Sequence, residues 1–136
     1  MGSNQAVFGG GCTEANIAHI LRCEALRSAD SKRCVFLGIA ESLEIVPRIL
    51  AENAGVTAAT AITQLRSRLA AGYKTMGIEG YTGEVTDMHA IGVMELLELK
   101  QRMFMTAFNT VAMMLSVGDM VIEKAAEKLL KPHQTQ

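Results

Sequence analysis

The sequence contains no tryptophan, and aromatic residues make up only 4% of its 136 residues. Hydrophobic residues still account for 49% of the chain, so a core must be built from aliphatic side chains and from the nine methionines. Methionine is unbranched and flexible, and it fills irregular gaps well. With 12 glycines and two prolines, the composition excludes a low-complexity chain. We therefore predict one folded domain over residues 1–136.

An excess of charge of one sign is also missing, because the net charge is −1 and both signs are interspersed. The chain therefore lacks the basic stripe that binds a nucleic-acid backbone. No unbroken apolar run approaches the roughly 18–20 residues of a membrane span, and the N-terminus does not resemble a signal peptide. We expect neither nucleic acid nor a membrane as a partner. Residues 1–5 are interpreted as a possible remnant of cloning, and residues 131–136 as a frayed tail.

The three cysteines, Cys12, Cys23 and Cys34, include no Cys-x-x-Cys pair and have no histidine at zinc-ligand spacing. An odd number of thiols without a secretion signal favours free cysteines in the reducing cytoplasm. None of the three histidines has a Ser, Cys or acidic neighbour at a spacing typical of nucleophilic catalysis. We therefore predict no metal site and no catalytic residue.

Apolar spacing predicts a first helix that follows the glycine triplet Gly9–Gly11 and has Thr13 as its N-cap. The polar segment 28–31 ends this helix, and Ser31 is the predicted cap of the next. The predicted apolar face consists of Ile17, Ile20, Leu21 and Ala25.

A second helix is predicted from about Lys32 to Asn53, with Gly55 as its C-terminal cap. Pro47 removes one backbone hydrogen bond, so we expect a kink near residues 43–47 rather than a stop. The apolar stripe assigned to this helix consists of Val35, Ile39, Leu43, Val46 and Leu50.

Thr57 is the predicted cap of a third helix that ends before Gly72 and buries Ala61, Ile62, Leu65 and Leu69. The segment around residues 80–83 then predicts a small β-hairpin. Asp87 is the predicted cap of a one-turn helix over residues 88–91.

Helical spacing returns from about Glu95, with a break at Gly118-Asp119. The segment 120–130 is ambiguous, because residues 120–122 suit a strand and residues 123–130 suit a helix. The helix carries more apolar side chains than one face can bury, and it is either a core helix or a surface that packs on further domains. These side chains are Phe104, Phe108, Val111 and Leu115, with Met103, Met105, Met113 and Met114.

The glycine triplet is the first candidate for binding, because glycines before a helix let the backbone approach a ligand and direct N–H groups at it. A tight turn between closely packed elements explains the same residues equally well. No Gly-Lys-Ser/Thr follows, so this is not a P-loop. Glu79 and Glu95 bracket the hairpin segment, and they either converge on one pocket, where a carboxylate suits a ribose hydroxyl, or are solvated surface residues.

Four blocks, in this order, resemble group II chaperonins, the family of the eukaryotic cytosolic chaperonin subunits and the archaeal thermosome. GGGCTE at residues 9–14 is similar to the family's Gly-Gly-Gly-Ala-x-Glu, and SLEIVPRILAENAG at residues 42–55 nearly copies its Ala-Leu-Glu-Ile-Ile-Pro-Arg-x-Leu-Ala-Glu-Asn-Ala-Gly. GIEGYTGEVTDM at residues 77–88 resembles Gly-Val-Asn-x-x-Thr-Gly-Glu-Val-x-Asp-Met, and GVMELLELK at residues 92–100 resembles Gly-Val-x-Glu-Pro-x-x-x-Lys. The resemblance runs from residue 6 to residue 122.

The resemblance implies a mainly α fold: the C-terminal, helical half of a chaperonin equatorial domain with one small β-hairpin. It implies an ATP-dependent chaperone whose partners are other subunits of a double ring and non-native client proteins. It also implies the residues that contact ATP or ADP, which are Gly10 and Gly11 against the nucleotide, Glu79 and Gly80 at the edge of the adenine, Val93 on the base and Glu95 at the ribose hydroxyls.

The chain departs from the family pattern at Cys12, where Ala is usual, at Glu79, where Asn or Asp is common, and at Leu96, which replaces a proline. The family's phosphate loop and its magnesium-binding and water-activating aspartates precede the glycine triplet, and residues 1–8 do not supply them. Phosphoryl transfer depends on metal ions and on electrostatic positioning of the phosphates. We therefore expect no ATP hydrolysis by this chain alone. The alternative is a non-enzymatic, chaperonin-like module that binds other subunits or clients.

Overall fold

The structure, a computed structural model, describes residues 5–130. Residues 1–4 and 131–136, which include most of the predicted N-terminal remnant and all of the predicted frayed tail, lie outside the described residues. The chain divides into two compact units at Leu96 and Leu97. The first contains four helices and four short strands, the second contains one long helix, and each is described by itself. The predicted mainly α fold is confirmed.

Helix α1 spans Cys12–Arg27 and is preceded by Gly11, which adopts a left-handed conformation with φ of 70°. The prediction that Thr13 caps this helix is wrong, since its hydroxyl lies inside the first turn and donates to the carbonyl oxygen of Phe8 at 3.0 Å. Helix α2 spans Asp30–Leu43 after the predicted break. Its N-cap is Ala29 rather than Ser31, and no side chain caps it.

Helix α2 ends at Leu43 and helix α3 spans Ile45–Asn53, and between them Glu44 keeps a right-handed helical conformation. The amide of Glu44 donates to the carbonyl oxygen of Ala40 and the amide of Arg48 donates to that of Glu44, so the interruption is local and lies within the predicted range 43–47. Pro47 lies in the first turn of α3, where the backbone N–H groups have no partner within the helix, so its missing N–H costs little. The predicted cap at Gly55 is confirmed. Its φ is 81°, and the amides of Gly55 and Val56 donate back into the last turn of α3.

Helix α4 spans Ala58–Ala70, as predicted, and it buries the whole predicted face together with Ala58. Leu65 and Leu69 of this helix form a core cluster with Ala15, Ala51, Ala61 and Ile78.

Strands β2, Met76–Ile78, and β3, Val85–Asp87, form the predicted hairpin as an antiparallel pair. A second antiparallel pair joins β1, Ala6–Phe8, to β4, Met94–Leu96, so the prediction of a single hairpin was incomplete. These two strands are distant in the sequence, and each is too short for a periodic signal. The predicted one-turn helix is also wrong, because residues 88–92 form turns and Asp87 accepts a hydrogen bond from the amide of His89.

The predicted apolar stripes of the first two helices are confirmed only in part, since Ala25 is buried and Leu50 packs against the core cluster while other members are exposed. Ile20 is 59% exposed and Val35 is 58% exposed. The faces that are buried consist of small, polar and proline residues, namely Cys12, Glu14, Ala15, Ala18 and Ala25 on α1, and Ala40, Glu44, Pro47 and Ala51 on α2, its C-cap and α3. Small side chains let helices approach closely, and a search for large apolar residues does not detect such a face.

Helix α5 spans Leu97–Leu130 and continues through Gly118, so the predicted break there is wrong and the ambiguous segment 120–130 is helical. Phe108, Val111 and Leu115 are exposed, which favours a surface over a core face. Among the described residues, the segment Leu97–Ile122 is long and apolar enough to cross a membrane by length and composition alone. The search for unbroken apolar runs did not detect it, because polar residues interrupt the segment.

Candidate functional site

The glycine triplet forms a tight loop between β1 and α1, which we call the glycine loop, residues 9–11. Gly10 and Gly11 have φ of 62° and 70°, a region that side chains other than glycine rarely adopt. A Cβ on Gly11 would lie 2.8 Å from Cβ of Pro47. At Gly10 it would collide with Sδ of Met88 and would lie 2.7 Å from the carbonyl oxygen of Ile78. Only glycine therefore fits these two positions.

Backbone hydrogen bonds attach the glycine loop to the two segments that carry the other candidate residues. The amide of Ile78 donates to the carbonyl oxygen of Gly10 at 2.8 Å, which places the loop beside the end of β2, next to the hairpin turn. The amide of Gly9 donates to the carbonyl oxygen of Val93 at 3.0 Å, which places the loop beside the start of β4. The loop is consequently held by main-chain groups on both sides.

Val93 and Glu95 converge on Gly9. A Cβ at Gly9 would lie 2.8 Å from Cγ1 of Val93 and 3.2 Å from Oε1 of Glu95, so both side chains lie directly over the loop. Val7 fixes the register of Glu95 through the β1–β4 pair. Val93 is 40% exposed, and Glu95 is half-buried. The structure thus brings together an apolar surface, a carboxylate and a glycine backbone, as a nucleoside site would require.

Glu79 begins the turn of the hairpin, and its carboxylate is engaged within that turn. The backbone amides of Tyr81 and Thr82 donate to it at 3.1 and 2.6 Å. Its hydrogen bonds, of which those from Thr82 are the strongest, hold the pKa of the Glu79 carboxyl below its ordinary value. Gly80 is exposed, and no other residue occupies the space where its Cβ would be. Glu79 therefore has a structural role that the sequence did not indicate.

Cys12 follows the loop directly and is buried. Its thiol donates to the carbonyl oxygen of Lys74 at 3.3 Å, and the Asn16 amide donates to the sulfur at 3.4 Å. Burial raises the pKa of the Cys12 thiol to about 11, because the surroundings disfavour the thiolate. Cys12 is thus a neutral packing residue beneath the loop, and it is not a nucleophile.

A cluster of charged side chains lies outside this region and was not predicted. Glu44, at the break between α2 and α3, is only 4% exposed and accepts two hydrogen bonds from each of two arginines. Arg22 of α1 donates at 2.7 and 2.9 Å, and Arg66 of α4 donates through its Nε at 2.9 Å and through Nη2. We call these three residues the Glu44 cluster. They join α1 and α4 to the junction between α2 and α3 through paired, charge-assisted bonds.

No group of three or more His, Cys, Asp or Glu side chains in residues 5–130 has the geometry to hold a metal ion. His19 and Cys23 do lie together, with Nε2 and Sγ 3.9 Å apart one helical turn away from each other. The local spacing of this pair was overlooked in the sequence. Two ligands do not complete a zinc site.

Comparison with known proteins identifies the family. The TCP-1/cpn60 chaperonin family matches residues 1–125 of the chain. The chain belongs to this family. The match includes most of α5, so the apolar helix is part of the family's domain rather than an addition to it.

Among curated chaperonin relatives, the T-complex protein 1 subunit gamma of Schizosaccharomyces pombe is 35% identical over 113 residues, which are 83% of this chain and 21% of that protein. The thermosome subunit beta of Thermoplasma acidophilum is 35% identical over 116 residues, which are 85% of this chain and 21% of that protein. The open-state monomer of a group II chaperonin from Methanococcoides burtonii superposes with a TM-score of 0.76 and 34% identity, over 81% of this chain and 27% of that one. The predicted resemblance to group II chaperonins is confirmed, and the chain spans about a quarter of the length of these relatives.

Proposed function

We propose that this chain contributes the adenosine side of the ATP site of a chaperonin subunit that assists protein folding in a double ring. The observation that supports it is the convergence of Val93 and Glu95 on the glycine loop. There Val93 offers an exposed apolar surface to a base, and Glu95 offers a carboxylate to the ribose hydroxyls.

Gly10 and Gly11 are proposed to lie against the nucleotide, since their backbone has no side chains to keep a ligand away. Gly80 and the turn begun by Glu79 are proposed to edge the adenine. Because the carboxylate of Glu79 already accepts two backbone amides, we assign its contact to the main chain of the turn. The cytoplasm, where the thiols would stay reduced, is the proposed location.

Calorimetry of this chain with ATP, ADP and adenosine tests the proposal. We expect weak binding shared by all three ligands, because the adenosine moiety is common to them, and we expect Glu95→Ala to abolish it. Glu52→Ala, an exposed carboxylate on α3, is the matched control and should bind like the wild type. If the wild-type chain bound none of the three ligands, the adenosine site would be refuted and the family assignment would stand. We expect no hydrolysis of ATP by this chain.

A second function is favoured by the exposed apolar side chains of α5, which include Met113, Met114 and Leu115 at 64–69% exposure. A surface of this kind is typical of an interaction site. The chain would then act as a non-enzymatic module that binds other subunits or non-native clients. Concentration-dependent self-association that Met114→Glu and Leu115→Glu weaken, with nucleotide binding absent, would favour this function. A monomer at all concentrations would argue against it.

A further inference from the structure

Met88 lies where the glycine loop, strand β2 and the segment that leads to Val93 and Glu95 meet. Its side chain is 0% exposed. A Cβ at Gly10 would collide with its Sδ, and a Cβ at Gly77 would lie 2.7 Å from its Cγ. The Met88 side chain therefore fills the space between the glycine loop and strand β2, and the absence of side chains on both glycines makes that space.

The main chain of Met88 connects the same segments. Its amide donates to the carbonyl oxygen of Thr75 at 2.9 Å, just before β2. Its carbonyl oxygen accepts the amide of Val93 at 3.0 Å, and the carbonyl of Val93 in turn accepts the amide of Gly9. Met88, Val93 and the glycine loop consequently each contact the other two.

We propose that Met88 is a positioning residue that sets the distance between the glycine loop and the segment carrying Val93 and Glu95. A thioether side chain suits this role, since it is long and thin enough to enter the gap between two glycines. Side chains branched at Cβ are wider near the backbone, and a smaller side chain would let the loop move inward. The expected effect of Met88 on binding rests on the proposed function. The positioning of the glycine loop by Met88 can be measured without a ligand.

The ligand-free test uses hydrogen exchange of two amides that hold the loop, those of Ile78 and Gly9, with the Val56 amide at the end of α3 as internal reference. We expect Met88→Ala to accelerate exchange at Ile78 and Gly9 about tenfold more than at Val56, because the loop loses its support. Met88→Leu, which nearly conserves volume, should restore protection to within about twofold. The matched control is Ile62→Ala, a buried residue of α4 outside the core cluster that contains Ile78. The Ile62→Ala substitution should accelerate hydrogen exchange at all three amides by about the same factor.

The binding test repeats calorimetry with adenosine on the same variants. We expect Met88→Ala to weaken binding about tenfold or more, since misplacement of a binding group by about 1 Å can have effects of that size. Ile62→Ala should leave affinity unchanged under conditions in which it is folded. If Met88→Ala and Ile62→Ala changed the exchange rates of all three amides equally, the positioning role of Met88 would be overturned. If the wild type binds no adenosine, the proposed function fails, and selective exchange at Ile78 and Gly9 still decides the role of Met88.

Discussion

The glycine loop and the Glu44 cluster lie in the same compact unit, yet they are stabilised by opposite means. The cluster uses side chains, since two guanidinium groups donate hydrogen bonds to one buried carboxylate. The loop uses main-chain hydrogen bonds and glycines, supported from below by Met88. In the cluster the polar side-chain groups bond to one another, and Glu44 is only 4% exposed. In the glycine loop the backbone makes the stabilising hydrogen bonds, so side chains such as Val93 remain at the surface. This difference separates a structural region from a candidate binding region.

The largest expected effect is on the loop. Gly10→Ala should lower the free energy of unfolding by about 3 kcal/mol, because it combines a left-handed non-glycine residue with a collision against Met88 and the Ile78 carbonyl. Chemical denaturation measures it. Gly38→Ala is the matched control, since Gly38 lies within α2 with open space at its Cβ, and it should raise stability by about 0.5–1 kcal/mol. Equal stability of Gly10→Ala and the wild type would show that the loop tolerates a side chain.

Glu44→Ala tests the other side of the comparison. We expect a loss of about 2–3 kcal/mol, which is less than for a fully buried ion pair, because Arg66 keeps a side-chain exposure of 48% and can be hydrated. Thermal or urea unfolding measures it.

The control for this variant is Glu24→Ala, which removes the exposed pair between Glu24 and Arg27 and should cost about 0.5 kcal/mol or less. If both variants lost the same small amount, the Glu44 cluster would be no more than a surface contact. If Glu44→Ala also changed adenosine binding, the separation of the two regions would fail.

Alkaline pH should affect the loop region through Cys12. The unfolded thiol loses its proton near pH 9, whereas the folded thiol keeps it until about pH 11. The unfolded state therefore binds fewer protons in this window, and stability falls as the pH rises from about 9 to about 11, by about 2 kcal/mol or less. Cys12→Ala should remove this component, and Cys34→Ala, at an exposed thiol, should not. Unfolding curves at several pH values measure the difference, and parallel curves for all three proteins would contradict it.

The smallest expected effect is at Glu79. Since its pKa is lowered in the folded protein, its carboxylate contributes stability above its unfolded pKa, and that contribution is lost as the pH falls through the folded pKa. Glu79→Gln should therefore reduce stability slightly at neutral pH and flatten the acid limb of the pH profile. Glu84→Gln, an exposed neighbour in the same hairpin, is the control. An NMR titration that gives the Glu79 carboxyl an ordinary pKa would refute the engaged carboxylate.

The sequence predicted the elements whose signals are local. Helix α4 was found with its buried face because large apolar residues repeat along it, and the Gly55 cap was found because glycine marks the left-handed C-terminal position. The β2–β3 hairpin was found because its turn residues are adjacent in the chain. The interruption at Glu44 was located within the predicted range because Pro47 marks it locally.

Apart from Ala25, the buried faces of α1, α2 and α3 could not be predicted, since they consist of alanines, a cysteine, a proline and two glutamates rather than large apolar residues. Whether such a face is buried depends on which neighbour approaches it. Glu44 illustrates the point, because a glutamate is buried only where cations such as Arg22 and Arg66 arrive from other helices. Met88 is similar, since its proposed role follows from its packing against Gly10 and Gly77, which only the tertiary structure shows.

By itself, then, the sequence determined the family, the helical composition and the six candidate residues, because motif order and local conformational preference are properties of neighbouring residues. Only the tertiary structure decided that β1 pairs with β4, that Val93 and Glu95 lie over Gly9, and that the Glu79 carboxylate is engaged by its own turn. The first two are contacts between segments that are distant in the sequence, and the third is a choice between alternative partners for one carboxylate. They are decided by which groups packing brings within about 3 Å of each other, a quantity that no local pattern contains.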